Sequence, residues 1–154
     1  MESQLVENPN KDFKKLGELI KGIPTAMLGT VDSHGRLRSR PMMTQEAEFN
    51  GDLWFFSSKE IGKLEELERD SRVNVIYSDT RQNRFVSISG HAEMTQNQNK
   101  IEELWSPALF AWFPKGMTDP SIVLLKVHVE EAEYWDSPSS AMVTLIGFAK
   151  AVLI

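Results

Sequence analysis

Two periodicities run along this chain. From Asn10 to Lys21, Phe13, Leu16, Leu19 and Ile20 recur at helical spacing, and Gly22 offers a stop. Pro24 then opens a strand over Thr25 to Val31. Asp32-Ser33-His34-Gly35 is a tight-turn signature in which Gly35 can take a positive φ. A second strand is expected from Arg36 to Thr44, and Asn50-Gly51 is a hairpin signal leading into a third from Asp52 to Ser57. A helix is expected from Ser58 to Asp70, with Ser57 and Glu60 at capping-box spacing and Ile61, Leu64 and Leu67 as its buried stripe. Strand character returns at Val73 to Tyr77 and, after the polar turn Asp79 to Asn83, at Phe85 to Met94. Asn97 to Leu104 reads as helix, and Trp105 to Met117 as an aromatic segment broken by prolines. Val123, Leu125, Val127 and Val129 share one face of a long strand within Ile122 to Trp135. The apolar tail from Ala141 fits strand or helix equally.

About six short strands with tight turns, and three helices, favour an antiparallel barrel over a parallel sheet. The 154 residues fit one domain, 1–154, with no repeat or linker. The absence of cysteine excludes disulfides, thiolate metal sites and cysteine nucleophiles within this sequence. A net charge of −5 makes general nucleic-acid binding a poor expectation. No apolar run is long enough for a membrane helix, and MESQLVENPNKDF lacks the form of a secretory signal, so a cytoplasmic protein without membrane contact is expected. Neither G-x-G-x-x-G nor the triphosphate loop motif is present.

Two clusters could carry chemistry. On a strand, Arg36, Arg38 and Arg40 would share a face as a ladder of positive charge. That pattern suits a solvated edge strand marked by Pro41, or a site for phosphate, which guanidinium binds bidentately. The second cluster is Trp54-Phe55-Phe56-Ser57-Ser58-Lys59, followed by Lys63. It reads as an ordinary capped helix, or as hydroxyls, lysines and a helix N-terminus gathered for an anion. Together the clusters flank an aromatic stretch, a polarity that flavin mononucleotide (FMN) shares. His34, His91 and His128 lack ligand spacing, so no metal site is expected. The pairs Glu65/Glu66, Glu102/Glu103 and Glu130/Glu131 read as solvated faces, and Trp105, Phe110, Trp112 and Phe113 as core or subunit contact.

In order, AMLGTVDSHGRLRSRPM, GDLWFFSS, GKLEEL, RVNVIYSD, RFVSISGHAEM, LWSPALFAWFPKG and EEAEYWDSP resemble the pyridoxamine 5′-phosphate oxidase-like split-barrel flavoproteins, in particular their general stress protein branch. The resemblance runs from about Phe13 to Ala149. It implies a mainly β fold: a six-stranded antiparallel Greek-key split β-barrel with flanking helices, dimeric, with FMN at the subunit interface. Carried over by position, Arg40 and Lys63 would hold the phosphate with Ser57 and Ser58. The backbone around Ser39, Arg40, Pro41 and Met42 would lie along the flavin ring, Phe56 would line the site, and Trp112 and Phe85 would approach from the partner subunit. Relatives often carry serine where Ile61 stands, and the oxidases carry arginine where Gly62 stands, so two phosphate donors are missing. The tail from Ser137 lacks the oxidases' substrate-gripping arginine and histidine, which argues against true pyridoxamine phosphate oxidase activity. Open alternatives are a flavin-dependent oxidoreductase using NAD(P)H or another donor, a flavin-storing or sensing stress protein without turnover, and a haem-binding split barrel.

Overall fold

The structure, a computed structural model, describes residues 9–45, 48–59, 64–136 and 142–145. Helix α1 (Pro9–Ile20) precedes strands β1 (Thr25–Val31), β2 (Leu37–Met43) and β3 (Asp52–Ser58). Helix α2 (Leu64–Arg69) leads to β4 (Arg72–Asp79) and β5 (Arg84–Thr95). Helix α3 (Gln98–Leu104), a short 3-10 helix (Pro107–Ala111), β6 (Ile122–Trp135) and β7 (Val143–Leu145) follow. One antiparallel sheet runs β2-β1-β4-β5-β6-β3, with β7 adding onto β6.

Turn chemistry explains the β1–β2 hairpin. The Asp32 carboxylate accepts hydrogen bonds from the His34 and Arg36 amides, at 2.9 Å each, and Gly35 sits at φ +76°. These bonds hold the Asp32 carboxyl below its ordinary value, the Arg36 amide first among them. Asn50-Gly51 behaves differently from the expected hairpin. Among the described residues β2 and β3 form no ladder: β2 pairs only with β1, and β3 with β6. Gly51, at φ +114°, turns the chain out of line and accepts from the Val129 amide instead. The two strands flanking that turn are therefore the two ends of the sheet, and the barrel is split between them.

The helix expected from Ser58 also differs at its start. Ser57 and Ser58 are the last residues of β3, opposite Val123 and Ile122, and the Lys59 amide continues the pairing onto the Ser121 carbonyl. Sheet pairing with β6 thus wins over the capping-box pattern at Ser57. Glu60, Ile61, Gly62 and Lys63 lie outside the described residues, and α2 is described from Leu64. In the tail, Val143–Leu145 is strand, paired with Ala132 to Tyr134.

The main core lies inside the barrel, where Leu28, Phe55, Val75, Ile88, Val127 and Val129 are almost wholly buried. A second cluster forms on the other face of β3, where Ile101 and Phe113 come from the helical segment between β5 and β6 and join Ile122 and Leu124. Trp54 and Phe56 pack against that cluster. Side chains of a strand alternate between faces, so Phe55 and Phe56 serve different cores.

Candidate functional site

Register decides which of the sequence-selected residues can meet. Opposed residues of an antiparallel pair share a sheet face. Arg40 is opposite Leu28 and Met42 opposite Ala26, so both lie on the barrel's inner face. Ser57 follows Leu53 and Phe55 on the inner face of β3. Ser39 and Pro41 alternate to the outer face of β2, opposite Gly29 and Met27.

The arginine ladder is divided among carboxylates. Arg36 and Arg38 both reach Asp32, at 3.3 and 3.8 Å. Arg40 turns inward and is only 20% exposed. Its Nη2 donates to Thr30 Oγ1 at 2.7 Å and lies 3.6 Å from Glu66 Oε2 on α2. Burial pushes the Arg40 pKa down, with Glu66 opposing that shift and Arg38 adding to it. Arginine's starting value is so high that the group stays charged. Glu66 corrects the expectation of a solvated face: Glu65 is exposed, but the next side chain on α2 turns under the sheet. Sequence spacing held no sign of this, because Glu66, Thr30 and Arg40 converge from three elements.

Phe56, Ser58 and Trp112 fall on the other side of β3. Phe56 packs against Trp105 and Phe113, with ring centroids 6.0 and 6.3 Å apart. Ser58 and Trp112 line one cavity of about 330 Å³ with Phe113, Lys115, Asp119 and Ser121. Trp112 is 68% exposed beside it. Within one chain, then, β3 stands between Arg40, Met42 and Ser57 on one face and Phe56, Ser58 and Trp112 on the other. Phe85 is half-buried on β5, opposite Ser78 and Trp135. Lys63 lies outside the described residues.

The outer face of the split side carries an exposed apolar row. Pro41, Met27 and Ile76 form a cross-strand row, all exposed. The next row is Ser39, Gly29 and Asn74. Gly29 leaves bare backbone there, where an added Cβ would make only ordinary contacts, 3.5 Å from the Asn74 carbonyl oxygen and 3.6 Å from Ser39 Oγ. Further round the barrel, His128 and His91 are direct cross-strand partners, a proximity their sequence spacing does not show. His128 pairs with Asp52 at 3.0 Å and His91 with Glu130. They border a cavity of about 440 Å³ with Ser71, Glu93 and Lys126. Among the described residues, no three His, Asp or Glu side chains are placed to hold a metal together.

Residues 11–154 match the family of pyridoxamine 5′-phosphate oxidase like proteins. The chain belongs to that family. Protein bli-3 of Neurospora crassa is 28% identical over 138 residues, which cover 83% of this chain; the chain spans 66% of that relative's length. The crystal structure of a general stress FMN/FAD binding protein from Xanthomonas citri is 30% identical, with TM-score 0.71 over 88% of this chain and 96% of that one. A protein related to general stress protein 26, from Clostridium acetobutylicum, superposes with TM-score 0.76 at 18% identity, covering 91% of this chain and 96% of that one. The last likeness carries the fold alone: a mainly antiparallel split barrel with a few helices, as the register of β1 to β6 also requires.

Proposed function

We propose that this family member binds FMN along the split between β2 and β3, as a homodimer, and uses it as a redox group. The observation that carries the reading is the open edge of β2. Among the described residues its backbone pairs on one side only, and beside it Arg40 holds a half-buried positive charge. Backbone amides on an unpaired edge suit the polar rim of a flavin ring. A guanidinium suits its phosphate, at about 1.5–3 kcal/mol for each charge-assisted hydrogen bond.

Two features support dimerisation. The row Pro41, Met27 and Ile76 leaves apolar surface on the outer face of the same strands. Also, the two groups of site residues lie on opposite faces of β3. A ligand that touches both either passes round the end of β3 at Ser58 or takes one group from a second copy.

A bound flavin supplies hydride or single-electron transfer, so the chain needs to bind it, orient its ring and limit water around it. Arg40 anchors, the β2 edge orients, and the exposed ring of Trp112 is available to cover a planar ligand. The relative from Xanthomonas citri, an FMN/FAD binding protein, supports the cofactor class.

The test is the visible spectrum of freshly purified protein, followed by FMN titration and anaerobic addition of NADPH or NADH. Binding with flavin bleaching is expected. Arg40→Ala combined with Lys63→Ala lowers FMN affinity at least about tenfold. Unchanged affinity would place the phosphate elsewhere. Flavin that binds but is reduced by no donor would favour a storage or sensing role, and a monomer in sedimentation at micromolar concentration would refute the dimer.

A further inference from the structure

Arg40 does not stand alone beside the split. Its Nη2, Thr30 Oγ1 and Glu66 Oε2 form a closed triangle: Arg40 donates to Thr30 at 2.7 Å, Thr30 donates to Glu66 at 3.3 Å, and Arg40 lies 3.6 Å from the same carboxylate oxygen. The corners come from β2, β1 and α2. Thr30 is 1% exposed and the Glu66 side chain 11%, so neither swings into solvent without breaking packing. A carboxylate is thus built in, within contact distance of the cation that would receive a phosphate. Structural stabilisation does not require it there, since a half-buried arginine could be satisfied by neutral acceptors.

Building on the flavin reading above, we propose that Glu66 is a specificity-determining residue that sets how strongly the site prefers a phosphorylated flavin to its unphosphorylated form. Glu66 offsets the charge of Arg40 across 3.6 Å. When a phosphate dianion arrives, the carboxylate becomes a like charge at short range in a poorly solvated corner, which costs binding energy. Riboflavin, which lacks the phosphate, meets no such penalty. Glu66 therefore compresses the affinity difference between the two ligands and keeps FMN exchangeable. Acting on Arg40 and on the incoming charge, it needs no contact with the flavin ring.

The experiment is a pair of flavin-fluorescence titrations, FMN and riboflavin, on the full chain and three variants. Glu66→Gln keeps the shape and an acceptor for Thr30 but removes the charge. Glu66→Met removes the polar atoms at similar volume, and serves if the first variant folds poorly. Glu66→Asp keeps the charge. The ratio of riboflavin to FMN dissociation constants should rise about tenfold or more in the neutral variants. It should stay within about threefold of the parent in Glu66→Asp. An unchanged ratio in the neutral variants, with both flavins still bound, overturns the role of Glu66 and leaves flavin binding standing. A reduced ratio also overturns it, because Glu66 would then be holding Arg40 in its binding pose. A parent chain that binds neither flavin overturns the underlying reading as well.

Discussion

Gly90→Ala should be one of the most damaging single-methyl additions to this chain. Gly90 lies on β5 where the register with β6 slips: Ser89 faces Glu131 and Gly90 faces Val129, leaving Glu130 as the extra residue of a bulge. An added Cβ would sit 2.1 Å from the His128 carbonyl oxygen and 3.0 Å from its carbon. Both are backbone atoms, so no side chain can rotate away. Contacts below 3.0 Å are essentially never tolerated, and β5 must therefore part from β6 by roughly an ångström at the middle of the sheet. Gly90 is not in the positive-φ region, so Ala would otherwise gain about 0.4–1 kcal/mol from a less flexible unfolded chain. Overpacking typically costs about 1–3 kcal/mol, and a backbone clash at a bulge belongs at or above the top of that range. The expected net loss is about 2–4 kcal/mol. Gly17→Ala is the matched control. There the added Cβ meets Phe49 at 3.5 Å, an ordinary contact, in the middle of α1, and should stabilise by up to about 1 kcal/mol. Urea unfolding followed by tryptophan fluorescence, at one protein concentration, reads both; four tryptophans provide the signal. A Gly90→Ala protein within about 0.5 kcal/mol of the parent would refute the reasoning about this bulge.

Arg84 clamps the end of α1 to the sheet, donating to the Glu18 carbonyl at 3.0 Å and to Asp79 at 3.2 Å. Arg84→Met should lose about 1.5–3 kcal/mol in the same urea assay, and an unchanged midpoint would mean that α1 docks by its apolar face alone. Phe55→Ala, at a 1% exposed position of the main core, should cost about 3–5 kcal/mol. Asp70 is held down to about 2, first by its side-chain hydrogen bond from Arg72, and Asp32, Asp79 and Asp119 are lowered by hydrogen bonds too. A carboxyl depressed in the folded state contributes stability above its ordinary pKa of 3.8 and loses it as pH falls toward 2. Urea midpoints should therefore drop across that window, and Asp70→Asn should make the drop shallower; an equally steep drop would remove Asp70 from the account.

Much of the strand pattern is local chemistry and was readable. Thr25–Val31 is a strand over those same residues, and the long strand expected within 122–135 fills all of Ile122–Trp135, because alternation and flanking turns agree. Asn97 caps α3 through its side chain, which accepts from the Lys100 amide at 3.1 Å, close to where helical spacing begins. Charge and alternation mark Arg36, Arg38 and Arg40 alike as candidate cations, and only the family resemblance singles out Arg40.

Tertiary structure alone decided what those pieces do together. A turn signal at Asn50-Gly51 states that the chain bends, not that the strands on either side pair; here β1 and β6 take the two strands instead. Ser57 stands at capping-box spacing, yet the ladder to β6 claims it together with Ser58. Pairing partners at such range depend on which faces can be buried at once, and no local window contains that information. The same holds for the open corner between β2 and β3. The sequence by itself determined that this chain would be a barrel of short antiparallel strands with an arginine on one of them. Only the fold placed that arginine beside Thr30 and Glu66, because a contact between residues 30, 40 and 66 exists only once three separate elements have packed.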